Sequence, residues 1–288
     1  MLGPGLEGRR AVVTGGSRGV GAATARMLAR AGAHVGISYH SRAAEAEAVV
    51  ASVRELGVTG WAEPVEVAEA AAVDRLFERA EREMGGLDIV VANAGIWPVE
   101  DVPIARMTDE QWRRTVAINL DGVFHTVRAA ARMLARGGRI VVVGSTAGQR
   151  GEALHADYAA TKGALISLVK GFCVELAPRG ITVNSVAPGW VDTEMSEPAF
   201  GEGGKAPVLG LLRRGGPPLA KVVVRERVTS AELARDEAVT LASIISGEMP
   251  HPDEIYDVAS VYHNRLARRM RLQADPTGVY ALGERRRL

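Results

Sequence analysis

At 288 residues, 47% hydrophobic and 24% charged, the chain is long enough to bury a sizeable core and has an ordinary globular composition. A net charge of +1 points to no polyanion partner for the chain as a whole, and a single cysteine, Cys173, excludes intramolecular disulfides and a cysteine-based zinc site. That cysteine usage fits a reducing compartment. With no apolar signal region at the N-terminus and no apolar run of about 18 residues, the expectation is a cytoplasmic protein with no membrane span, no metal and no nucleic-acid partner.

Charge is unevenly spread. From Lys205 onward 14 Lys and Arg face 10 Asp and Glu, against 21 and 24 before it. The basic end, Arg285-Arg286-Arg287, reads as a solvated terminus.

Arg10 to Thr14 has a short buried-strand pattern, followed at once by Gly15-Gly16-Ser17-Arg18-Gly19-Val20-Gly21 and by a run of helix formers from Ala22 to Ala31. Strand, glycine turn and helix in that order suit a phosphate. Glycines allow close backbone approach, and the helix start offers unpaired N–H groups and the positive end of its dipole. The spacing is G-x-x-x-G-x-G rather than the commoner G-x-G-x-x-G. A P-loop would need Lys and Ser/Thr where Ala22 and Ala23 stand. Gly15 to Gly19 also spells G-x-S-x-G, but a hydrolase elbow follows several strands and here barely one precedes it.

His34 to Tyr39 reads as the second strand. Dinucleotide folds that select NAD place an acid at its end for the ribose 2′-hydroxyl. Here Tyr39-His40-Ser41-Arg42 stands instead, and Arg18 adds a second cation. Together they suit a 2′-phosphate, so NADP(H) is the preferred cofactor, with NAD(H) as the alternative.

Ala43 to Leu56 is expected to be helical, and Val58 to Val67 to hold a strand and its exit, with Glu66 placed to accept from an adenine amino group and Val67 beside it. Glu69 to Met84 is an amphipathic helix. Leu87 to Val91 is a strand running into Ala92-Asn93-Ala94-Gly95, whose small residues would let a cofactor lie on the sheet edge. Asn93 alone could equally be a turn former. Thr108-Asp109-Glu110-Gln111 marks a helix start, and the long helix that follows carries Asn119. Gly138 to Val143 is a further strand ending at Gly144-Ser145-Thr146.

Tyr158-Ala159-Ala160-Thr161-Lys162 falls in a helical segment, where residues four apart share a face. A cation held beside a phenol lowers its pKa, which readies the group to exchange a proton with a carbonyl or alcohol oxygen. Ile181 to Val186 and Pro188-Gly189 follow. The alternation of strands and helices predicts an α/β fold, a doubly wound parallel sheet covered on both faces. Ligands of such sheets bind at the carboxyl ends of the strands, where the glycine turn, Asn93, Ser145 and Pro188 all lie.

Taken together, these residues resemble the short-chain dehydrogenase/reductase family over about residues 6 to 200. The resemblance rests on Thr14-Gly15-x-x-x-Gly19-x-Gly21, Asn93-Ala94-Gly95, Asn119, Ser145, Tyr158-x-x-x-Lys162 and Pro188-Gly189, in order, with 13 positions from Ser145 to Tyr158. It implies a Rossmann fold that binds NAD(P) and transfers hydride between nicotinamide and a carbonyl or alcohol, as in acyl-carrier-protein ketoreductases and related alcohol or sugar dehydrogenases. It implies that Tyr158 is the general acid or base and that Lys162 lowers its pKa and binds the nicotinamide ribose. Ser145 would hold the substrate oxygen, Asn119 a water of a proton relay, and Val191 and Thr193 the carboxamide. A homo-oligomer is also implied, built partly on a last strand.

That last strand and its glycine-rich ending are not found after Phe200. Residues 201–228 read as a linker or remodelled lid, with Lys221-Val222-Val223-Val224 as a substitute edge strand, and residues 229–288 as a small α-helical appendage opened by the capping box Thr229-Ser230-Ala231-Glu232. This appendage resembles a fragment of the YceG-like endolytic murein transglycosylases, through Leu241 to Ile245, Glu248, Asn264-Arg265-Leu266 and Met270 to Thr277 with Tyr280 to Gly283. In that family a glutamate matching Glu248 would be the catalytic acid. Two other functional classes therefore stand beside the oxidoreductase: a cofactor-binding protein without turnover, and glycan cleavage through Glu248.

Overall fold

The structure, a computed structural model, describes residues 5–191 and 193–200. The linker, edge strand, helical appendage and Glu248 expected beyond Phe200 lie outside the described residues.

In chain order the elements are β1 (Arg10–Val13), α1 (Gly19–Arg30), β2 (His34–Tyr39), α2 (Ala43–Arg54), β3 (Gly60–Pro64), α3 (Ala70–Met84), β4 (Ile89–Ala92), α4 (Asp109–Val116), α5 (Gly122–Met133), β5 (Arg139–Val143), α6 (Ala147–Arg150), α7 (Ala156–Leu176), β6 (Thr182–Val186) and α8 (Glu197–Phe200). All strand pairs are parallel, in the order β3-β2-β1-β4-β5-β6. This is the doubly wound arrangement that the alternation implied. The order reverses between β1 and β4, and a ligand crevice opens at such a reversal.

Parallel strands covered on both sides must be apolar on both sides. In β1, Ala11 and Val13 pack with Ala25 of α1, Val49 and Val53 of α2, and Ile37. Val12 faces the opposite layer, with Leu76 and Phe77 of α3, Val127 of α5, and Leu165 and Val169 of α7. The period of two along the strand thus divides one core into two.

Two local features refine the expected elements. Thr108 caps α4 as its sequence suggested, its hydroxyl accepting from Gln111 N at 3.1 Å. The long helix around Asn119 is interrupted by a π turn at Ala117–Asp121. An extra residue in a helical turn shifts which side chains face inward, and such bulges gather at functional sites.

At the β2–β3 edge the fold depends on one missing side chain. Trp61 of β3 is only 2% exposed, and a Cβ on its neighbour Gly36 would come within 2.1 Å of the indole ring. Arg79 lies over the same indole, 5.1 Å from the ring centre, and pairs with Glu63. Overpacking of this kind costs about 1–3 kcal/mol. Gly36→Ala is therefore expected to lower the urea midpoint by a corresponding amount with the slope unchanged, which an equilibrium denaturation series checks.

Candidate active site

The glycine turn is shaped by contacts that only small residues permit. Gly15 and Gly19 have φ of +66° and +53°, in the left-handed region that favours glycine. A Cβ on Gly21 would lie 2.2 Å from Gly15 O and 2.6 Å from Asn93 Nδ2. Asn93 Nδ2 donates to Thr14 O at 2.9 Å and Gly15 O at 3.1 Å, and Thr14 Oγ1 accepts from Asn93 N at 3.0 Å and Ala94 N at 3.1 Å. The side chain of Asn93 therefore braces the turn from the next strand of the sheet. Ser38 holds it from the other side, accepting from Gly15 N at 3.2 Å. Helix α1 begins after an extended Arg18 with no side-chain cap, so its first N–H groups have no capping oxygen. A braced, side-chain-free turn at an uncapped helix start fits the pyrophosphate of a dinucleotide. Ser17 and Val20 belong to this turn and the first turn of α1.

The two expected 2′-phosphate ligands converge on one anion. Arg18 Nη1 lies 2.8 Å and Arg42 Nη2 3.9 Å from the same oxygen of Glu194. Tyr39 ends β2, and Ser41 is exposed beside Arg42. Glu66 has other partners than an adenine here: it accepts from Ala68 N at 3.1 Å and lies 3.3 Å from His40 Nε2. The side chain of Val67 is buried, in the layer that faces α5, and its carbonyl meets His125 Nδ1 at 3.1 Å. Thr193 lies against the glycine turn, 3.5 Å from where a Cβ on Gly19 would stand. Val191 O accepts from Ser196 Oγ, and Pro188 O accepts from Thr146 N at 3.0 Å beside Gly189.

Across the crevice, α7 presents the proton chemistry. Lys162 Nζ is 5.7 Å from the centre of the Tyr158 ring, so the two side chains share a helix face. Nζ donates to Val143 O at 2.8 Å, at the end of β5. Ser145 follows two residues later. Its hydroxyl favours ionisation of the Tyr158 phenol and accepts from Ala147 N at 3.1 Å. Gly95 bridges the two sides, since a Cβ there would lie 3.0 Å from Asn119 Oδ1 and 3.6 Å from Lys162 Nζ. Asn119 is fully buried in the π turn. Its amide is taken up by the main chain of Ile96, accepting from N at 2.7 Å and donating to O at 2.8 Å.

Burial, rather than Lys162, is the largest influence on the Tyr158 phenol. Burial pushes the Tyr158 phenol above its ordinary value, the negative charge of Glu152 adds to the rise, and only the Ser145 hydrogen bond opposes it. Burial also lowers the pKa of Lys162 to about 8.

Several residues of this rim carry no motif. Trp97 follows Gly95-Ile96, donates from Nε1 to Glu152 Oε1 at 3.2 Å and stacks on His155 with ring centres 4.5 Å apart. Trp190 meets Trp97 edge-on at 5.9 Å. Gly148 lets α6 lie against α7, since its Cβ would reach Lys162 C at 2.4 Å. Only the adjacency of Trp97 and Trp190 to Gly95 and Gly189 could have flagged them in sequence.

The chain matches the family model described as short chain dehydrogenase over residues 9–202. It belongs to that family. As a short-chain dehydrogenase it is an oxidoreductase acting on a carbonyl/alcohol pair. A second model, the YceG-like family, matches residues 218–288. Similar curated proteins include a 3-oxoacyl-[acyl-carrier-protein] reductase of Synechocystis, 37% identical over 84% of this chain and 94% of the relative. FabG of Escherichia coli, a reductase of the same name, is 38% identical over 85% and 96%. Among solved structures, a short chain dehydrogenase from Burkholderia cenocepacia in complex with NADP is 44% identical, with TM-score 0.64 over 66% of this chain and 77% of that one. An NAD+-bound xylitol dehydrogenase is 32% identical, with TM-score 0.61 over 65% and 72%.

The buried ammonium has a consequence for stability. Between pH 8 and 10.5 the unfolded chain holds a proton at Lys162 that the folded chain gives up, so its contribution to stability rises with pH through that window and is least below it. The penalty at neutral pH is of the order of 3 kcal/mol. Lys162→Met, which fills the same volume without charge, is expected to melt no lower than the wild type at pH 7 and to lose the rise in stability across this window. Thermal melts on either side of the window check both.

Proposed function

We propose that this chain is an NADP(H)-preferring oxidoreductase in which Tyr158 exchanges the proton at the reacting oxygen. The observation that carries this is the shared face of Tyr158 and Lys162 on α7, with Lys162 Nζ held on Val143 O two residues before Ser145. When bound, a nicotinamide cofactor supplies the hydride chemistry, and the protein positions it. Ser145 holds the substrate oxygen as charge develops there. Tyr158, whose burial pushes its pKa up, gives its proton to that oxygen in the reductive direction and takes it back in the oxidative one.

Lys162 and Asn119 act around this pair. Lys162, anchored on Val143 O, serves the ribose side of the cofactor. Asn119 spends its amide on the main chain of Ile96, so its part in a proton relay falls to its backbone carbonyl in the π turn. On the cofactor side, Gly15, Gly19 and Gly21 admit the pyrophosphate, while Val191 and Thr193, beyond the end of β6, meet the carboxamide. The relatives' names include both NADP- and NAD-bound proteins, so the preference for NADP(H) rests on this chain's own Arg18 and Arg42. Both already bind an anionic oxygen of Glu194, and a 2′-phosphate offers a fork-shaped guanidinium the same kind of partner with more charge.

Two experiments test the reading. Tyr158→Phe is expected to lower ketone reduction by roughly 10²–10⁴-fold while NADPH binding, followed by fluorescence titration, persists; full turnover in this variant would refute the assignment. Arg18→Ala combined with Arg42→Ala is expected to raise the KM for NADPH by about tenfold or more, with each lost charge-assisted contact contributing roughly 1.5–3 kcal/mol at most, and to leave the KM for NADH nearly unchanged. Equal losses for both cofactors would remove the preference.

A further inference from the structure

The two arginines at the cofactor end of the crevice already face carboxylates. Arg18 immediately precedes α1 and Arg42 immediately precedes α2. Arg18 Nη1 donates to Glu194 Oε2 at 2.8 Å, and Arg42 Nη2 lies 3.9 Å from the same oxygen. Arg42 Nη1 also pairs with Glu45 at 2.8 Å. Glu194 stands 176 positions from Arg18, beyond the end of β6, so the fold alone brings the three side chains together. Among the described residues, Glu45 and Glu194 are the acids within ion-pair distance of either arginine, and Glu45 touches Arg42 alone.

The turn that presents Glu194 is tied down. Ser196 is buried, and its hydroxyl accepts from Thr193 N at 3.2 Å and donates to Val191 O. Ser196 N and Glu197 N both donate to Thr193 O at 3.1 Å. The methyl of Thr193 rests against the glycine turn, 3.5 Å from where a Cβ on Gly19 would stand. Glu194 thus leaves a fixed turn beside the arginines, with its side chain half exposed. No acid stands at the end of β2, where Tyr39-His40-Ser41-Arg42 runs instead. Glu66, at the exit of the neighbouring strand, is engaged by Ala68 N and His40.

A ribose 2′-phosphate and the Glu194 carboxylate seek the same donors. The phosphate brings up to about two negative charges. It must either displace Glu194 from both arginines or sit beside it against like-charge repulsion, and each course weakens its binding. A 2′-hydroxyl is a donor, and a carboxylate is the group with which dinucleotide folds hold it. The same side chain therefore opposes one cofactor and suits the other. Resting on the cofactor site read above, we propose that Glu194 is a specificity-determining residue. It holds the ribose 2′-hydroxyl of NAD(H), and it competes with the 2′-phosphate of NADP(H) for Arg18 and Arg42. The preference for NADP(H) is then the surplus that two guanidiniums keep over this carboxylate, and the site retains a use for NAD(H).

The test uses the full chain and two probes, NADPH and NADH, which differ only in the 2′-phosphate, with Kd read by fluorescence titration. Glu194→Gln keeps the length of the side chain and removes its charge. It is expected to tighten NADPH about three- to fivefold, the scale of one or two exposed ion pairs. It is expected to weaken NADH about two- to threefold, because a neutral acceptor replaces a charged one. Glu194→Asp, which restores the charge on a shorter arm, should return the ratio of the two Kd values part of the way. NADPH bound no tighter by Glu194→Gln, or NADH bound no weaker, would overturn the proposal. If those opposite shifts are missing while Arg18→Ala with Arg42→Ala still loses NADPH alone, this inference fails and the cofactor reading stands. A wild type that binds NADPH no better than NADH defeats the NADP(H) preference, and the shifts in Glu194→Gln still decide the inference. Binding of neither nucleotide by the wild type or the variant defeats both.

Discussion

The site depends on one hydrogen bond, from Lys162 Nζ to Val143 O. It ties the middle of α7 to the end of β5, and Ser145 leaves that strand two residues further on. An ammonium buried to 4% exposure is costly unless it is paired, and α7 meets this cost by sinking Leu165, Val169 and Leu176 into the main core. The helix cannot slide or turn without exposing that face. The relation of Tyr158 to Ser145 is thereby set by packing over the length of a 21-residue helix, although the two side chains sit on different elements.

A second set of bonds does the same for the glycine turn. Thr14 and Asn93 exchange backbone and side-chain contacts across the β1–β4 boundary, the place where the strand order reverses. Two loops that would each be mobile alone are made one rigid edge. The π turn extends this brace, because Asn119 grips Ile96 and so fixes the run from Asn93 to Trp97. Rigid elements position reacting groups better than free loops do, and here even the loops are clamped.

A net charge of +1 conceals an electrostatic division within the crevice. Its cofactor end carries Arg18 and Arg42, gathered on Glu194. Glu152, bonded to Trp97, bears instead on Tyr158, and Asp101 and Asp157 add to the rise of its own pKa. The phenol of Tyr158 is raised chiefly by its burial, with a smaller contribution from Glu152, which favours donation of a proton over its removal.

Much of this was legible before any coordinates. The glycine turn, the shared face of Tyr158 and Lys162 and the parallel sheet follow from local rules: glycine alone tolerates certain backbone angles, residues four apart align on a helix, and alternating strands and helices wind one way. The π turn, the use of the Asn119 amide and the direction in which Tyr158 shifts were not legible. They depend on how deep a group lies and on what stands opposite it. Glu194 reaches Arg18 across 176 positions, and Trp97 reaches Glu152 across 55. Residue type and local spacing determined what chemistry the chain carries. Only tertiary packing decided which charges share a dry space, because electrostatic energy depends on distance and burial, and neither can be read along a chain.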